Sequence, residues 1–270
     1  MQHFFVEPSQ ITDRTITITG EDVNHIRNVL RMRIGEELSV SNGIDGKEYH
    51  CEIAELSPEA VVCHLRFIKE DGVELPVRIT LFQGLPKADK MELIIQKAVE
   101  LGAAEIVPVA TARSVVKLDG KKAKAKTERW QAIAEAAAKQ SRRALIPRIG
   151  DVMTMKEAAV AAKEMEIAVI PYELEEGMEA TRRFFKRAGE AAAAGKGEAR
   201  IGIFIGPEGG FTEEEIAAAR NCGIEPISLG RRILRTETAG MALISALMLK
   251  LETEYNDTAD GTKTASADEG

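Results

Sequence analysis

The sequence has few cysteines, few aromatic residues and no long apolar run. Its 270 residues include three cysteines, one tryptophan, three tyrosines and eight phenylalanines. No run of about twenty apolar residues is present that would cross a membrane, and the first residues lack the charged and apolar regions of a secretory signal peptide. We therefore expect a cytoplasmic protein with no membrane partner.

The sequence also lacks the two common phosphate-binding signatures. The glycine-rich segment at residues 205–212 does not end in Gly-Lys-Ser/Thr, and its glycines do not follow the G-x-G-x-x-G spacing. Thr212 and Glu215 are spaced as a capping box for the next helix, and Phe211 and Ile216 as its hydrophobic staple. Three glutamates in the first turn make this helix start acidic. The segment therefore favours a cationic ligand and disfavours an enzyme that binds a nucleotide through its phosphates.

Two Cys-His neighbours, at residues 50–51 and 63–64, raise the question of a zinc site. No C-x-x-C pair is present. Side chains alternate between the two faces of a strand. One face of the first strand is expected to carry Tyr49, Cys51 and Ile53, and one face of the second Val61, Cys63, Leu65 and Phe67. The histidines fall on the opposite faces, so we predict buried cysteines, surface histidines and no metal.

The net charge of −7 conceals a basic segment. Between Arg113 and Arg148, eleven basic residues face three acidic ones, which gives +8 locally and leaves −15 for the rest of the chain. A charge run is often only a solvated face, but a focused basic strip in an acidic protein also steers a polyanion to one surface. Both interpretations stay open from the sequence.

Hydrophobic patterning divides the chain into three parts. Residues 1–72 contain short alternating strands, turns and a helical piece near residues 22–31, which predicts a small β-rich domain. Residues 73–252 alternate strands with helices, which predicts an α/β domain with a mostly parallel sheet covered on both faces. Residues 253–270 are acidic and predict a disordered tail. The predicted α/β elements are strands at 77–82, 105–110, 166–171, 201–205 and 224–229 and helices at 87–101, 124–141, 179–193, 212–221 and 236–251.

Two of the predicted strand-to-helix loops carry the most distinctive sequences. The first is G-P-E-G-G-F-T at residues 206–212, and the second is L-G-R-R-I-L-R-T-E-T-A at residues 229–239. Ligands bind at such loops in parallel α/β sheets, and glycine lets the backbone approach a ligand closely. Plain turn geometry is the alternative explanation for the glycines.

These motifs resemble those of the bacterial 16S ribosomal RNA uridine-N3 methyltransferases (RsmE family), S-adenosylmethionine enzymes of the SPOUT superfamily. The similarity extends over nearly the whole chain and includes H-I-R-N-V-L-R (25–31), L-P-K-A-D-K-M-E (85–92) and K-Q-S-R-R (139–143). The resemblance implies a SPOUT-type parallel sheet with a C-terminal trefoil knot and an N-terminal PUA-like β-barrel that binds RNA. It also implies S-adenosylmethionine as cofactor, a uridine of 16S ribosomal RNA within the small ribosomal subunit as substrate, and a homodimer without metal.

The last predicted helix is apolar nearly all round, so we expect it to be buried on almost every side. Burial in the core of one chain is one explanation. A dimer core shared by two chains is what the family resemblance implies.

The resemblance also assigns roles to residues of this sequence. The expected cofactor residues are Pro171, Gly206, Glu208, Gly209, Leu229, Gly230, Ile233, Leu234, Thr236, Thr238 and Ala239. Arg232 and Arg235 are expected to hold the phosphate or the uracil oxygens, and Glu237 is a candidate general base. Structural alternatives are that the arginines pair with Glu208 or Glu237, and that Glu237 complements the helix dipole.

The expected RNA contacts lie in three parts of the sequence. They are His25, Arg27, Arg31, Arg33, Lys87, Lys90, Arg142 and Arg143. For the first four, the alternative to an RNA contact is that they are charged residues on a solvated helix face. The low aromatic content argues against base stacking as the main mode of RNA recognition. Two other functions stay open: a non-catalytic RNA-binding or ribosome-assembly factor of the same fold, and a SPOUT enzyme with another RNA target.

Overall fold

The structure is a computed structural model that describes residues 1–70, 73–116, 118, 120–195 and 197–264. The chain divides into two compact units, one of residues 1–74 with 135–146 and one of residues 75–134 with 147–270. Several sequence predictions lie outside the described residues: the domain exit at Asp71-Gly72, Lys117 and Asp119 of the basic segment, and residues 265–270 of the tail. The predicted domain boundaries stay predictions.

The first unit contains a five-stranded sheet. Its strands are β1 (Gln2–Phe5), β2 (Thr15–Thr19), β3 (Glu37–Ser41), β4 (Glu48–Leu56) and β5 (Ala60–Lys69). The strand order is β1-β3-β4-β5-β2, in which β1 and β3 are parallel and the other pairs are antiparallel. A short helix α1 (Glu21–Asn24) continues as a π-helical turn over His25–Val29.

The two cysteines of the first unit are buried, as alternation predicted. Cys51 is 1% exposed and Cys63 is fully buried, within a core that includes Ile16, Leu38 and Ile53. Among the described residues, no three His, Cys, Asp or Glu side chains cluster as metal ligands.

The predicted position of Phe67 on the core face is wrong. Cys51 pairs with Leu65 whereas His50 pairs with Phe67, so β5 has one extra residue at this point. Such a bulge moves the following side chains to the other face. Phe67 is 57% exposed and stacks on the half-buried ring of His50, with 4.4 Å between ring centroids.

A segment distant in sequence completes the first unit. The carboxylate of Glu74 accepts hydrogen bonds from the backbone N–H groups of Ala144 and Leu145, at 3.0 and 3.1 Å. The guanidinium of Arg143, which is buried, donates to the same carboxylate. These bonds explain why residues 135–146 belong to this unit.

The second unit is an α/β fold with a parallel sheet, as predicted. Its strands are β6 (Arg78–Gly84), β7 (Ala103–Ala110), β8 (Arg148–Ile149), β9 (Met153–Thr154), β10 (Ile167–Pro171), β11 (Arg200–Ile205) and β12 (Glu225–Ile227). The helices are α2 (Lys90–Glu100), α3 (Gly120–Gln140), α4 (Met155–Ala161), α5 (Glu179–Gly195), α6 (Glu213–Asn221) and α7 (Thr236–Thr264). All pairs in the order β12-β10-β11-β6-β7-β8 are parallel, and β9 also pairs with β7. Helix α3 contributes residues to both units.

Apolar side chains cover both faces of this sheet. On one face, the rings of Phe82 and Phe204 stack at 4.3 Å and pack in a cluster with residues of α4 and α6. On the other face, Gly240 of α7 lies against Leu81 and Ile205. Full burial of one such large side chain contributes about 1.5–3 kcal/mol to stability. This double cover fixes the strand ends that carry the candidate site.

Helix α7 differs from its prediction in two respects. It ends at Thr264 rather than near residue 251 and so enters the segment predicted to be a disordered tail. Within one chain it is not buried on almost every side, since Ala242, Ala246 and Leu249 are exposed, Leu249 to 56%. The chain therefore leaves an apolar stripe of α7 uncovered.

Candidate active site

A cavity of about 410 Å³ opens where β10, β11 and β12 end. Its walls are the three loops that follow these strands, as the sequence predicted for parallel strand ends. Of the predicted cofactor residues, nine line it: Pro171, Gly206, Glu208, Leu229, Gly230, Ile233, Leu234, Thr236 and Ala239. Gly209 and Thr238 do not line the cavity.

Sequence reasoning missed part of the lining. The additional residues are Lys90, Tyr172, Glu173, Ile205, Pro207, Gly210, Phe211, Ser228 and Arg231. Apart from Lys90, these are chain neighbours of predicted residues, so the loop motifs already contained the signal. Lys90 comes from the distant start of α2, and the sequence assigned it to RNA instead.

The loop at residues 229–235 offers main-chain donors to the cavity. Within the described part of the chain, the backbone N–H groups of Leu229, Ile233 and Leu234 donate no hydrogen bond. The N–H of Gly230 donates to the hydroxyl of Ser228 at 3.2 Å. Gly230 has φ +101°, a conformation that side chains with a Cβ rarely adopt. The tight turn at Gly230 thus leaves neighbouring polar groups open to a ligand.

A buried hydrogen-bond chain connects β6, α7 and the loop after β11. The side-chain amide of Gln83 donates to the hydroxyl of Thr236 at 2.9 Å, and that hydroxyl donates to the carbonyl oxygen of Gly206 at 2.6 Å. Gln83 is fully buried and Thr236 is 6% exposed. The hydroxyl of Thr236 therefore holds the Gly206 loop in place rather than pointing freely at a ligand.

Close packing restricts the same loop. A Cβ added to Gly206 would lie 3.1 Å from the Cα of Gly210, and one added to Gly84 would lie 2.6 Å from the ring of Pro207. A side chain at Gly84 would force Pro207 to move, and one at Gly206 would require Gly210 to shift by a few tenths of an ångström. The loop is thus closely packed at Gly206 and lies close against β6 at Pro207.

Lys90 forms two ion pairs at the cavity wall. Its ammonium lies 3.0 Å from Glu208 and 3.3 Å from Glu237. The hydrogen bond to Glu208 raises the pKa of Lys90. Burial would raise the pKa of Glu208, but bonds from backbone N–H groups and from Lys90 outweigh it, and that pKa is lowered. All three groups are therefore charged at neutral pH.

Glu237 lies in the first turn of α7. A hydrogen bond from its own backbone N–H lowers its pKa, and the charges of Lys90 and Arg235 act in the same direction against burial. A lowered pKa makes a carboxylate a weaker base. The geometry thus favours the helix-dipole alternative, and the catalytic role of Glu237 stays a prediction.

Arg232 and Arg235 line the cavity and are exposed. Within the described residues, neither guanidinium forms an ion pair or a hydrogen bond, and the carboxylates of Glu208 and Glu237 pair with Lys90 instead. The alternative in which these arginines pair with the two glutamates does not occur. Both guanidinium groups stay available to an anionic ligand.

The acidic start of α6 forms as predicted. Thr212 and Glu215 make a complete capping box, and Phe211 and Ile216 are both buried at the helix start. The carboxylate of Glu215 also accepts a hydrogen bond from the backbone N–H of Ala112 at 2.8 Å.

The predicted RNA contacts differ in accessibility. His25, Arg31, Arg33, Lys87 and Arg142 are exposed, and Arg27 is half-buried. Arg31 and Arg142 have positive φ, 55° and 56°.

Arg143 is a correction to the predicted contacts. Its side chain is 4% exposed and is committed to Glu74. Because separating this pair would leave an uncompensated buried charge, Arg143 stabilises the first unit and is not accessible for the predicted RNA contact in this conformation.

The basic segment is divided between the two units and partly neutralised. Arg129 pairs with Glu92 at 2.8 Å, Lys139 with Asp22 at 2.6 Å and Arg148 with Glu105 at 2.8 Å. Lys121 and Lys124, near the start of α3, are exposed. Ion pairs thus account for three of the basic residues, and the exposed lysines fit either a solvated face or a polyanion-binding surface.

None of the described helices is long and apolar enough to span a membrane.

Comparison with known proteins agrees with this site. The family model described as RNA methyltransferase domain matches residues 73–248, and the model described as RNA methyltransferase PUA domain matches residues 18–65. The ribosomal RNA small subunit methyltransferase E of Bacillus subtilis is 40% identical over 257 residues, which cover 93% of this chain and 98% of that protein. The chain belongs to the ribosomal RNA small subunit methyltransferase E family.

Other members of the family show the same extent of similarity. The Mycobacterium bovis protein of this name is 32% identical, with 90% of each chain covered. A crystal structure of the Neisseria gonorrhoeae methyltransferase E bound to S-adenosyl methionine is 29% identical, with a TM-score of 0.75 and coverage of 92% of this chain and 97% of that one. A Legionella pneumophila methyltransferase in complex with the same cofactor is 30% identical, with a TM-score of 0.73 and coverage of 92% and 96%. The family inferred from the two loop motifs is confirmed.

Proposed function

We propose that this chain transfers the methyl group of S-adenosylmethionine to N3 of a uridine in 16S ribosomal RNA. The observation that carries the proposal is the cavity enclosed by the three strand-end loops, in a chain of the ribosomal RNA small subunit methyltransferase E family. Relatives with the same fold hold S-adenosylmethionine. The residues present fit this cofactor in size, hydrogen bonding and charge.

Size and main-chain chemistry fit an adenosine group. A cavity of about 410 Å³ lies in the range of about 300–1,000 Å³ that encloses ligands of this size. The uncommitted N–H groups of Leu229, Ile233 and Leu234 offer donors to ring nitrogens. Phe211 and Ile205, both nearly buried, supply apolar contact at the cavity wall.

Negative charge at one part of the cavity wall suits a cationic cofactor. The carboxylate of Glu208 lines the cavity, and the trio of Glu208, Glu237 and Lys90 carries a net charge of −1 at neutral pH. Arg231, Arg232 and Arg235 also line the cavity and make another part of its wall positive. Negative charge near the cavity stabilises a bound cation. When bound, S-adenosylmethionine supplies a methyl group that its sulfonium has already activated.

The arginines of the loop at residues 229–235 suit a uracil base as the methyl acceptor. N3 lies on the Watson-Crick edge of uracil, so the base must be unpaired or flipped out before it reaches the site. Arg232 and Arg235 line the cavity with free guanidinium groups, which hold the uracil oxygens or the adjacent phosphate and stabilise negative charge that develops on the ring. The proton at N3 leaves to solvent or to Glu237, whose lowered pKa makes it a weak acceptor.

RNA docking is assigned to exposed basic residues. His25, Arg31, Arg33, Arg142 and Lys87 are exposed and contact phosphates without reading sequence. Because ribosomal RNA carries substrate uridines inside folded subunits, the small ribosomal subunit in the cytoplasm is the proposed partner.

Two finer structural proposals follow from family membership. The loops after β11 and β12 form a trefoil knot, and the sheet of the first unit forms a PUA-like β-barrel whose end strands β1 and β2 do not pair among the described residues. The uncovered stripe of Ala242, Ala246 and Leu249 on α7 supports a homodimer, because a second copy buries apolar surface there.

Titration calorimetry with S-adenosylmethionine tests the proposal. The parent protein is expected to bind, and Gly230→Val is expected to lose binding because its side chain strains the cavity loop. Gly177→Val is the matched control, since Gly177 also has a positive φ (+77°) with open space around it but does not line the cavity. A parent that does not bind contradicts the proposed enzyme and favours a non-catalytic RNA-binding factor.

A further inference from the structure

Lys90 joins three segments of the second unit that are far apart in sequence. It is the first residue of α2, Glu208 lies in the loop after β11, and Glu237 lies in the first turn of α7. Its ammonium is 3.0 Å from one carboxylate and 3.3 Å from the other. A single side chain therefore connects the loop after β11 with the start of α7, which directly follows the loop at residues 229–235.

The backbone before α2 is shaped to bring Lys90 to this place. Ala88 has φ 54°, a conformation that non-glycine residues adopt at a cost. The N–H of Lys87 donates to both carboxylate oxygens of Glu208 at 3.2 Å. The start of α2 thus holds Glu208 by a main-chain group and a side chain together.

Charge explains why the connection matters. Glu208 and Glu237 both approach one ammonium, so without it two carboxylates with 27% and 18% exposed side chains would repel each other across the cavity wall. Lys90 is 30% exposed and lines the cavity. It lies three residues after Lys87, which is exposed.

We propose that Lys90 is a positioning residue for the cofactor and not an RNA contact. It fixes Glu208 and the start of α7 relative to each other, so that the Gly206 loop and the loop at residues 229–235 hold the cavity open in one geometry. The inference rests on the proposed binding of S-adenosylmethionine at this cavity.

Lys87 supplies a matched control. It is exposed, and within the described residues its side chain forms no ion pair, while its contribution to Glu208 comes from the backbone and survives substitution. Lys90→Met removes the charge at similar length, Lys90→Arg keeps it, and Lys87→Met removes a neighbouring charge.

The experiment compares the parent with the three variants. Calorimetry measures the affinity for S-adenosylmethionine, and steady-state kinetics measures kcat, the KM for S-adenosylmethionine and the KM for small ribosomal subunits. Lys90→Met is expected to weaken S-adenosylmethionine binding about tenfold, which corresponds to about 1.4 kcal/mol, and to raise the cofactor KM with the RNA KM unchanged. Lys90→Arg is expected to restore most of the affinity. Lys87→Met is expected to leave cofactor binding unchanged.

The outcomes separate the inference from the function on which it rests. A Lys90→Met variant that binds cofactor like the parent and raises only the RNA KM overturns the inference and returns Lys90 to the RNA contacts. Failure of Lys90→Arg to restore affinity also overturns it. If Lys90→Met does not fold, the milder Glu237→Gln variant must show the same selective loss of cofactor affinity. A parent without cofactor binding refutes the proposed function itself.

Discussion

Replacement of Thr236 by valine tests the hydrogen-bond chain that holds the Gly206 loop. Valine has nearly the shape of threonine but no hydroxyl, so the carbonyl of Gly206 loses its donor at 2.6 Å and the amide of Gln83 loses its acceptor at 2.9 Å. Gln83 keeps one bond, to the carbonyl of Gly84 at 3.0 Å. Gln83 is fully buried, so water cannot replace its missing acceptor, whereas Gly206 lines the cavity and is half-buried.

The magnitude follows from one buried and one half-buried polar group that lose a partner. A buried group without a partner costs about 1–3 kcal/mol; the remaining bond of Gln83 and the cavity beside Gly206 reduce the cost, so we expect a total loss of about 2 kcal/mol. At about 2–4 °C per kcal/mol for a chain of this size, Tm should fall by about 4–8 °C. Cofactor affinity should fall as well, since the released loop forms the cavity wall.

The assay compares three variants by thermal unfolding, followed by circular dichroism, and by cofactor calorimetry. Thr236→Ser keeps the hydroxyl and should remain close to the parent. Thr238→Val makes the same chemical change two residues later, at an exposed position, and should also be close to the parent. If Thr236→Val is as stable as Thr238→Val and binds the cofactor equally well, the hydrogen-bond chain does not hold the loop.

Three further predictions concern other parts of the molecule. Glu74→Gln removes the carboxylate charge that faces the buried guanidinium of Arg143 and should cost about 3 kcal/mol; a urea midpoint equal to that of the parent would contradict this. Burial, together with a hydrogen bond to the carboxylate of Asp45, raises the pKa of Tyr49 to about 12 from 10.0. The neutral phenol of Tyr49 therefore contributes its full stabilisation below pH 10, and this stabilisation is lost as the pH rises toward 12. Tyr49→Phe should therefore flatten the alkaline part of a stability-against-pH curve, and an unchanged slope would refute the assignment. Gly84→Ala should weaken cofactor binding because its Cβ would meet Pro207 at 2.6 Å, whereas normal affinity would mean that the loop adjusts freely.

The parts of the structure that could be predicted are those in which local sequence decides the conformation. The capping box of Thr212 and Glu215 and the strand-to-helix loops follow from residue type and spacing within a few positions, and the structure contains them. Burial of Cys51 and Cys63 followed from alternation. The same signals placed the cavity, because parallel strands bring their carboxyl ends to one edge.

The parts that could not be predicted depend on contacts between distant segments. Lys90 and Arg143 are ordinary basic residues in the sequence, and only the fold brings them to carboxylates that determine their roles. The misplacement of Phe67 has a similar origin, since a bulge in β5 changes the pairing register without a glycine or proline to mark it.

Short elements were missed for a different reason. β8 and β9 have two residues each and α4 has seven, too few for a periodic pattern to emerge. The capping box of Thr154 and Glu157 at the start of α4 was nevertheless a usable signal.

The most direct test of the central claim is mass spectrometry of nucleosides from 16S ribosomal RNA. Small ribosomal subunits that lack the modification are incubated with S-adenosylmethionine and either the parent protein or Gly230→Val. The account predicts one N3-methyluridine per 16S ribosomal RNA with the parent and none with the variant. A parent that binds the cofactor yet yields no methylated nucleoside, or one methylated at another atom such as a ribose 2′-oxygen, would contradict the account.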